Sequence, residues 1–362
     1  MAKIDRMEVS VHRVPLPQPV EAFAAGLMVN FDMVMVRLRD TDGVEGLGYS
    51  VCHEGQGPAI GQIAGGSMRP FVEGADADLI EAIWHKLYRE HHYAGRGAPV
   101  SFALAAIDVA LWDLKGRKLG EPLWRLMGGF SAEVRAYAGN IDLNFPKTKL
   151  LEGASASVEA GFRSVKMRLG RPSLAEDLDR AHAMRAHLPD EIEMMADANE
   201  AWRVDQCVRA MHGLKDLGMV WLEEPIAPDD LAGQVHLRSL GLIPLALGEN
   251  LHTVAEFTTL FAAGAVDMPQ PDLTTCGGYT PWLKVARLAE ANNLPVMSHG
   301  AHELHIHCMG ACPNAAYLEW HAFDLGRYME QPLTVSEGFA TAPERPGHGI
   351  TFDMDALGSM AV

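Results

Sequence analysis

Seven short apolar runs in the second part of the sequence restrict its fold more than any other feature. Each run ends in, or carries near its end, a polar residue capable of chemistry, and stretches of helical periodicity separate the runs. Alternation of strand and helix is typical of a parallel sheet with helical crossovers. The glycine-rich phosphate turn that often marks an open doubly wound sheet is missing, so we expect a closed (β/α) barrel. The runs are FRSVKMRL (162–169), EIEMMAD (191–197), MVWLEE (219–224), IPLALGE (243–249), AVDMPQPD (265–272), LPVMSH (294–299) and AAYLEW (315–320).

Regular spacing places the polar residues at equivalent points of successive strands. Glu223 lies 26 residues after Asp197, and Glu249 lies 26 residues after Glu223. Asp272 follows after 23 residues and His299 after a further 27. One strand, one helix and two short loops need about that length. These side chains are therefore expected at the carboxyl ends of adjacent strands, the face on which barrel active sites are built.

The first part of the sequence has a different rhythm. Residues 5–14 and 32–39 have strand-like patterns, and Asp42-Gly43 after the second of them predicts a hairpin. Residues 78–90 and 100–118 show helical spacing of apolar residues. Strands grouped before helices indicate an α+β domain.

Three segments follow from this change of pattern. We predict an N-terminal α+β domain at 1–125 and a (β/α) barrel domain at 126–325. Residues 326–362 are rich in proline and glycine, and we expect them to return to the first domain.

Composition excludes several classes of partner and location. The net charge of −17 disfavours binding to nucleic acids and to anionic membranes. The five cysteines form no Cys-x-x-Cys pair, which indicates thiols in a reducing compartment rather than disulfides or a zinc ribbon. The N-terminus has no signal-peptide pattern, and no stretch of 18 uncharged apolar residues occurs. We expect a cytoplasmic protein.

Three of the strand-end residues suit a divalent cation. Asp197, Glu223 and Glu249 cannot all stay ionised in a confined pocket without a positive charge between them. Three oxygen ligands with open positions favour Mg²⁺, and the absence of His and Cys from the trio disfavours zinc. The sequence therefore predicts one Mg²⁺ bound by these carboxylates.

Two further pairs lie at strand ends. Asp272 and His299 are on neighbouring strands, where the carboxylate would fix the imidazole tautomer and leave the other ring nitrogen free to move a proton. Lys166 and Arg168 are two residues apart on one strand and so point to the same side, where they can supply positive charge. The tract HELHIH at 302–307 lacks the His-Glu-x-x-His spacing of metalloproteases and is predicted to be an ordinary helix.

Taken together, these residues resemble the mandelate racemase branch of the enolase superfamily over nearly the whole chain. The resemblance implies a (β/α)7β-type TIM barrel with an N-terminal α+β capping domain. It also implies that loops at about 16–30 and 50–60 close over the substrate, and that the subunits form a homo-oligomer, from dimer to octamer. The matching motifs are FRSVKMRLG (162–170), DANEAW (197–202), WLEEP (221–225), LGENLHT (247–253), QPD and CGG (270–278) and SHG (298–300).

The resemblance also implies roles for single residues. In that family the carboxylates that match Asp197, Glu223 and Glu249 hold Mg²⁺. The acid that matches Glu319 hydrogen-bonds an oxygen of the substrate carboxylate, and the residue that matches Asn199 contacts the substrate. The pair that matches His299 and Asp272 transfers protons.

One departure from the family pattern bears on the reaction. The second lysine of a common Lys-x-Lys motif is replaced by Arg168, which stays protonated at any working pH and is a poor base. A dehydratase needs one base for the α-proton and one acid for the β-hydroxide, and His299 can serve as both. We therefore predict a lyase that dehydrates a sugar acid to a 2-keto-3-deoxy acid, with Lys166 and Arg168 as electrostatic or secondary acid/base groups.

Two alternatives stay open. A racemase or epimerase of a 2-substituted carboxylate would use Lys166 and His299 as bases on opposite faces. A binding protein that kept the fold and lost catalysis would bind Mg²⁺ without turnover. The apolar content of the two closing loops, which includes Phe23, Leu27 and Val51, allows a substrate less polar than an open-chain sugar acid.

Overall fold

An antiparallel sheet of three strands begins the chain. The structure is a computed structural model and describes residues 2–362. β1 (Ile4–Ala22) pairs with β2 (Gly26–Asp40), which pairs with β3 (Glu45–His53). The predicted hairpin joins β2 to β3. Gly43 has a φ of +85°, which suits glycine, and its N–H donates to the Asp40 carbonyl at 3.0 Å.

The segment 16–30 is a two-stranded arm and not the loop that the resemblance implies. Val20 pairs with Met28 and Ala22 with Gly26, so only residues 23–25 form a turn. The register slips between Pro15 and Val20, because prolines in this stretch have no N–H to donate to the ladder. The arm extends beyond β3, which pairs with β2 only from Phe31 onward.

Helices complete the N-terminal region, and α4 is the central one. Its residues are buried on nearly every side, and it packs so closely on β3 that a Cβ at Gly48 would lie 2.2 Å from the Ala106 carbonyl oxygen. The helices are α1 (Gly57–Gln62), a π-helical stretch (Ile63–Met68), α2 (Arg69–Val72), α3 (Ile80–His91), α4 (Val100–Leu119) and α5 (Leu123–Leu126).

Parallel strands then curl into a barrel. Successive strands from β4 to β9 pair in parallel, and β10 pairs in parallel with β4. The run 294–299 closes the gap, because the Met297 N–H donates to the Pro269 carbonyl and the Ser298 N–H to the Tyr317 carbonyl. The strands are β4 (Glu133–Gly139), β5 (Ser164–Arg168), β6 (Glu193–Asp197), β7 (Met219–Glu223), β8 (Leu245–Leu247), β9 (Met268–Pro269) and β10 (Leu318–His321).

A helix follows each of the first seven barrel positions, and none follows β10 before the chain leaves the barrel. This order confirms the predicted (β/α)7β fold. The predicted helix at 302–307 is the start of α12, whose residues are all buried. The helices are α6 (Lys147–Glu159), α7 (Leu174–His187), α8 (Val204–Leu214), α9 (Leu231–Ser239), α10 (Val254–Ala262), α11 (Tyr279–Ala291) and α12 (His302–Gly310), with a 3₁₀ turn (Lys215–Leu217) after α8.

Aromatic rings fill the barrel interior below the strand ends. Trp221 packs edge-on against Tyr137 and Tyr317, with ring centroids 5.1 and 5.3 Å apart. Met195, Ala246 and Met297 complete this buried cluster. Such a packed floor leaves only the carboxyl-end face of the barrel open for a ligand.

The C-terminal segment contacts both the barrel and the N-terminal sheet. β12 pairs with β4, whereas the Val362 N–H donates to the Val11 carbonyl of β1 at 3.0 Å. Among residues 2–362, no helix combines the length and the apolarity needed to cross a bilayer. The segment comprises a 3₁₀ turn (Leu325–Tyr328), β11 (Val335–Ser336), β12 (Phe339–Thr341) and α13 (Met354–Gly358).

Candidate active site

A cavity of about 400 Å³ lies between the carboxyl ends of the barrel strands and the N-terminal region. The barrel side is polar and the opposite side is mainly apolar. Barrel residues in its wall are Arg168, Asn199, Glu249, Asp272, His299 and His321, and the facing residues include Ala24, Ala25, Met28, Val51 and Phe102.

Asp197, Glu223 and Glu249 converge beside this cavity, and Glu249 forms part of its wall. An oxygen from each lies within 4.8 Å of an oxygen from the other two. Two of them are held by neutral donors: the Asn199 N–H donates to Asp197 at 2.7 Å, and Trp221 Nε1 donates to Glu223 at 2.9 Å. An all-carboxylate set of this size has the donor chemistry that Mg²⁺ prefers. The residues present therefore fit a magnesium ion.

Lys166 is enclosed by acids beneath the cavity. Its Nζ lies 2.7 Å from Glu223, 2.7 Å from Glu319 and 3.4 Å from Asp197, and its side chain is fully buried. Burial alone would lower the pKa of Lys166, but the carboxylates outweigh it and raise the pKa above its ordinary value. The three acids thus occupy the ammonium group of Lys166, which is wholly enclosed by protein.

Arg168 lies nearer the mouth of the barrel and does line the cavity. One guanidinium nitrogen donates to Asp197, while Nε has no hydrogen-bond partner within residues 2–362. The backbone N–H of Arg168 donates to buried Asp142 at 2.8 Å. The guanidinium thus presents fixed positive charge and a spare donor beside the carboxylate trio.

His299 and Asp272 form the predicted dyad. His299 Nδ1 lies 2.9 Å from Asp272 Oδ2, and Thr274 donates to the other Asp272 oxygen from its N–H (2.6 Å) and its hydroxyl (2.8 Å). This arrangement directs His299 Nε2 into the site, 3.1 Å from a Glu249 oxygen. Nε2, the nitrogen that Asp272 does not hold, is thus positioned to exchange a proton with a substrate bound at the trio.

Burial and neighbouring charges shift the pKa values of the dyad and the trio. Burial would lower the pKa of His299, but Glu249, Glu319 and Asp272 outweigh it and raise the pKa well above its ordinary value. Burial raises the pKa of Asp197 to about 7 even though Arg168 acts in the opposite direction. A site with this excess of acids favours a bound cation.

The structure also brings Glu319 and Asn199 to the site. Glu319 lies on β10 and accepts the Gly300 N–H at 2.8 Å through the oxygen that Lys166 leaves free. Asn199 Oδ1 accepts the Ala24 N–H at 2.9 Å, and so ties the arm to the barrel. Asn199 has a φ of +44°, a conformation that asparagine tolerates better than most residues.

The sequence predicted no role for two residues of the site, His321 and Gln270. His321 lies two positions after Glu319 on β10 and lines the cavity. Gln270 donates its amide to Glu223 at 2.9 Å and helps to orient that carboxylate. The period of two along a strand was the available signal for His321, since alternate residues share a face.

Comparisons with known proteins agree with this geometry. Residues 6–128 match the family model "Mandelate racemase / muconate lactonizing enzyme, N-terminal domain", and residues 149–356 match "Enolase C-terminal domain-like". The chain is 43% identical over 359 residues to 3,6-anhydro-alpha-L-galactonate cycloisomerase of Streptomyces coelicolor, with 99% of each chain covered.

Two solved structures extend the likeness to three dimensions. One is a racemase from Streptomyces coelicolor A3(2) with bound magnesium, with a TM-score of 0.97 and 42% identity over 99% of this chain and 100% of that one. The other is L-talarate dehydratase from Polaromonas sp. JS666 complexed with Mg and L-glucarate, with a TM-score of 0.94 and 31% identity over 100% and 98% of the two chains. The chain belongs to the mandelate racemase/muconate lactonizing enzyme family of the enolase superfamily.

Proposed function

We propose that this Mg²⁺-dependent enzyme removes the proton α to the carboxylate of an acid sugar and expels the oxygen on the β-carbon. Asp197, Glu223 and Glu249 would hold the Mg²⁺, as their mutual distances and oxygen chemistry suggest. When bound, the cation would supply charge stabilisation for the enolate that forms from the carboxylate. The substrate carboxylate would lie beside Glu319 and Arg168.

His299 is the base in this proposal. Asp272 accepts the Nδ1 proton at 2.9 Å, so the lone pair of a neutral His299 lies on Nε2, which faces the cavity. Glu249 raises the pKa of His299, and a cation at the trio would offset the charge of Glu249 and so favour the neutral ring. After it takes the α-proton, the imidazolium can return that proton to the departing oxygen. One dyad can therefore carry both halves of the elimination, with Asp272 holding the ring in place throughout.

The positions of Lys166 and Arg168 favour elimination over racemisation. Racemisation needs a competent base on each face of the α-carbon. Arg168, the cation on the cavity wall, is always protonated, and Lys166 is enclosed by Glu223 and Glu319 below the wall. Neither Lys166 nor Arg168 therefore offers a free base to the cavity opposite His299, which favours an elimination.

The apolar wall favours a cyclic substrate. Ala25, Met28, Val51 and Phe102 face the barrel residues, and with only His53 and Gln56 as polar side chains this wall offers few hydrogen bonds to a row of free hydroxyls. A 3,6-anhydro aldonate has its β-oxygen in a ring ether and presents a less polar surface. Expulsion of that oxygen opens the ring and yields an isomeric 2-keto-3-deoxy acid, so the overall reaction is a cycloisomerisation. The full-length relative of 43% identity is named for this reaction.

A panel of acids tests the proposal. The enzyme with Mg²⁺ would be incubated with 3,6-anhydro-L-galactonate, and separately with galactarate, talarate, galactonate and rhamnonate. Formation of 2-keto acid would be followed by semicarbazone absorbance and by NMR. We expect kcat/KM for the anhydro acid to exceed the other values by at least about 100-fold. Turnover of an open-chain acid alone would instead support dehydration, the reaction of the neighbour crystallised with L-glucarate.

We further propose that the enzyme works in the cytoplasm as a homo-oligomer. All five cysteines are buried thiols, which suits a reducing compartment. Phe130 and Leu119 are more than half exposed and offer apolar surface for contact with a second subunit. Light scattering of the purified enzyme would test the assembly, and a monomer at micromolar concentration would contradict it.

A further inference from the structure

His321 occupies a place in the cavity to which the mechanism above gives no role. It ends β10, and because it lies two residues after Glu319 both side chains share the inner face of the strand. A ring nitrogen of His321 lies within 4.8 Å of a Glu319 oxygen and of a His299 nitrogen. Its ring stands edge-on to His299, with centroids 5.5 Å apart. His321 therefore lies beside the position at which the substrate would meet the base.

The hydrogen bonds of His321 determine which nitrogen faces the substrate. Nδ1 accepts the N–H of Phe323 at 3.4 Å, so in a neutral ring the proton lies on Nε2. Within residues 2–362, no acceptor is hydrogen-bonded to Nε2 and no acid lies within 4.0 Å of the ring nitrogens. The side chain is only 6% exposed, so this donor is available to a ligand in the cavity rather than to bulk water.

The surroundings keep this imidazole uncharged. Burial lowers the pKa of His321 to about 3, and nearby His299, Arg168 and Lys166 oppose a further positive charge although Glu319 favours one. The Phe323 ring packs perpendicular to it at 4.2 Å. A neutral histidine in this position can donate a hydrogen bond without competing with His299 as a base.

We propose that Nε2–H of His321 donates a hydrogen bond to the β-oxygen of the substrate and stabilises it as it departs. The inference deepens the elimination proposed above and rests on it. The α C–H bond breaks as His299 Nε2 takes the proton. The electron pair left on the α-carbon becomes the α,β double bond, and the β C–O bond breaks.

The departing oxygen leaves with the bonding pair while it is hydrogen-bonded to His321. It then takes the proton held by His299, which returns to the neutral state. In a 3,6-anhydro acid this oxygen stays attached to carbon 6, so no atom leaves the molecule. The resulting enol tautomerises to the 2-keto-3-deoxy acid. His321 keeps its own proton throughout.

Three variants separate this role from packing. His321→Phe keeps a ring against Phe323 but removes the donor, whereas His321→Gln places an amide nitrogen near the position of Nε2. His302→Asn is the matched control. His302 is buried, accepts the N–H of His321 at 3.4 Å and stacks on Trp320, but it does not line the cavity.

The experiment follows two events in D₂O with Mg²⁺ and 3,6-anhydro-L-galactonate. NMR measures product formation and, in the remaining substrate, deuterium at the α-carbon. We expect His321→Phe to lose about 100-fold to 1,000-fold in product formation. Exchange of the α-proton should continue, so deuterated substrate accumulates. His321→Gln should recover at least about tenfold of the loss, and His302→Asn should stay within about threefold of the wild type.

Two results would overturn the role of His321. One is product formation by His321→Phe within about threefold of the wild type. The other is a parallel loss of exchange and elimination in both the Phe and the Gln variants, which would indicate disturbance of His299 instead. If the wild-type enzyme turned over no acid of the panel, the proposed function itself would fail, and that outcome is visible before any variant is compared.

Discussion

Arg168 and Asp197 form a buried, hydrogen-bonded ion pair across the ends of β5 and β6, and the same guanidinium lines the cavity. Arg168 occupies the position at which the family resemblance would place the second lysine of a Lys-x-Lys motif. Because its guanidinium is always charged, Arg168 can stabilise an anion in the site but cannot accept a proton.

Replacement of this residue should change the outcome of the reaction. We expect Arg168→Lys to lower kcat/KM for elimination by about 10-fold to 100-fold, because the planar donor set is lost. The new amine should also act as a second base and produce the epimer at the α-carbon, detected by NMR in D₂O. Arg168→Met provides the control, since it lacks an amine and should form no epimer. If Arg168→Lys formed no epimer, the permanent protonation of Arg168 would not be what prevents epimerisation.

The hydrogen bond from the Ala24 N–H to Asn199 Oδ1 should control closure of the arm. Asn199→Gly removes the acceptor and accommodates the φ of +44° without strain. Loss of this hydrogen bond should cost about 1 kcal/mol, which predicts a rise in KM of roughly fivefold. Because the arm would then open more often, proteolysis at the turn 23–25 should be faster. Asn199→Ala should add a fall in Tm, because alanine is strained at this φ. An unchanged KM in both variants would separate the arm from substrate binding.

Magnesium should stabilise the fold through the carboxylate trio. At 100 times its Kd, a ligand that binds only the native state adds about 2.7 kcal/mol. We therefore expect Mg²⁺ to raise Tm by several degrees and EDTA to reverse the rise. Glu249→Gln should remove most of the effect, whereas Glu200→Gln, a change at another acid of the cavity wall, should preserve it. Equal stabilisation of both variants would place the ion elsewhere.

Asp108 should make stability depend on pH. It is buried in α4, accepts the Thr280 hydroxyl at 2.6 Å, and burial raises its pKa to about 7. The folded state thus holds a proton that the unfolded chain releases near pH 4, so this contribution to stability is complete at low pH and is lost as pH rises through 7. Unfolding in urea should show a loss of about 2 kcal/mol between pH 5.5 and 8.5.

Asp108→Asn should remove this part of the pH dependence. Asp190→Asn, at an exposed aspartate, is the control and should retain it. An unchanged slope in the Asp108 variant would show that the carboxyl stays ionised in the folded protein.

The barrel could be predicted because its strands are buried on both faces and so appear as continuous apolar runs. The first strand, β4, was missed because VRAYAG contains Arg135 and ends in small residues, so that it lacks the continuous apolar run of the other strands. The arm was expected as a loop because the family resemblance implies one at about 16–30, whereas strand pairing resumes beyond the prolines at Val20. Local sequence does not report such a long-range pairing.

Spacing along the chain was enough to bring together the carboxylate trio and the His299–Asp272 dyad, because adjacent strands repeat at nearly constant intervals. It could not distinguish Lys166 from Arg168. The two side chains point to the same side of β5, and only their depth in the barrel separates an enclosed ammonium from a guanidinium on the cavity wall. Depth depends on how the aromatic floor packs, which no pattern in the sequence encodes.

The central claim is that the His299–Asp272 dyad moves the proton while the carboxylates hold the cation. His299→Asn tests it most directly, with turnover measured on the responsive acid of the panel and Mg²⁺ affinity measured by calorimetry. We predict a fall in kcat of at least about 10⁴-fold, with a Mg²⁺ Kd within about threefold of the wild type. Near-normal turnover in this variant would contradict the account, because some other group would then have to remove the α-proton.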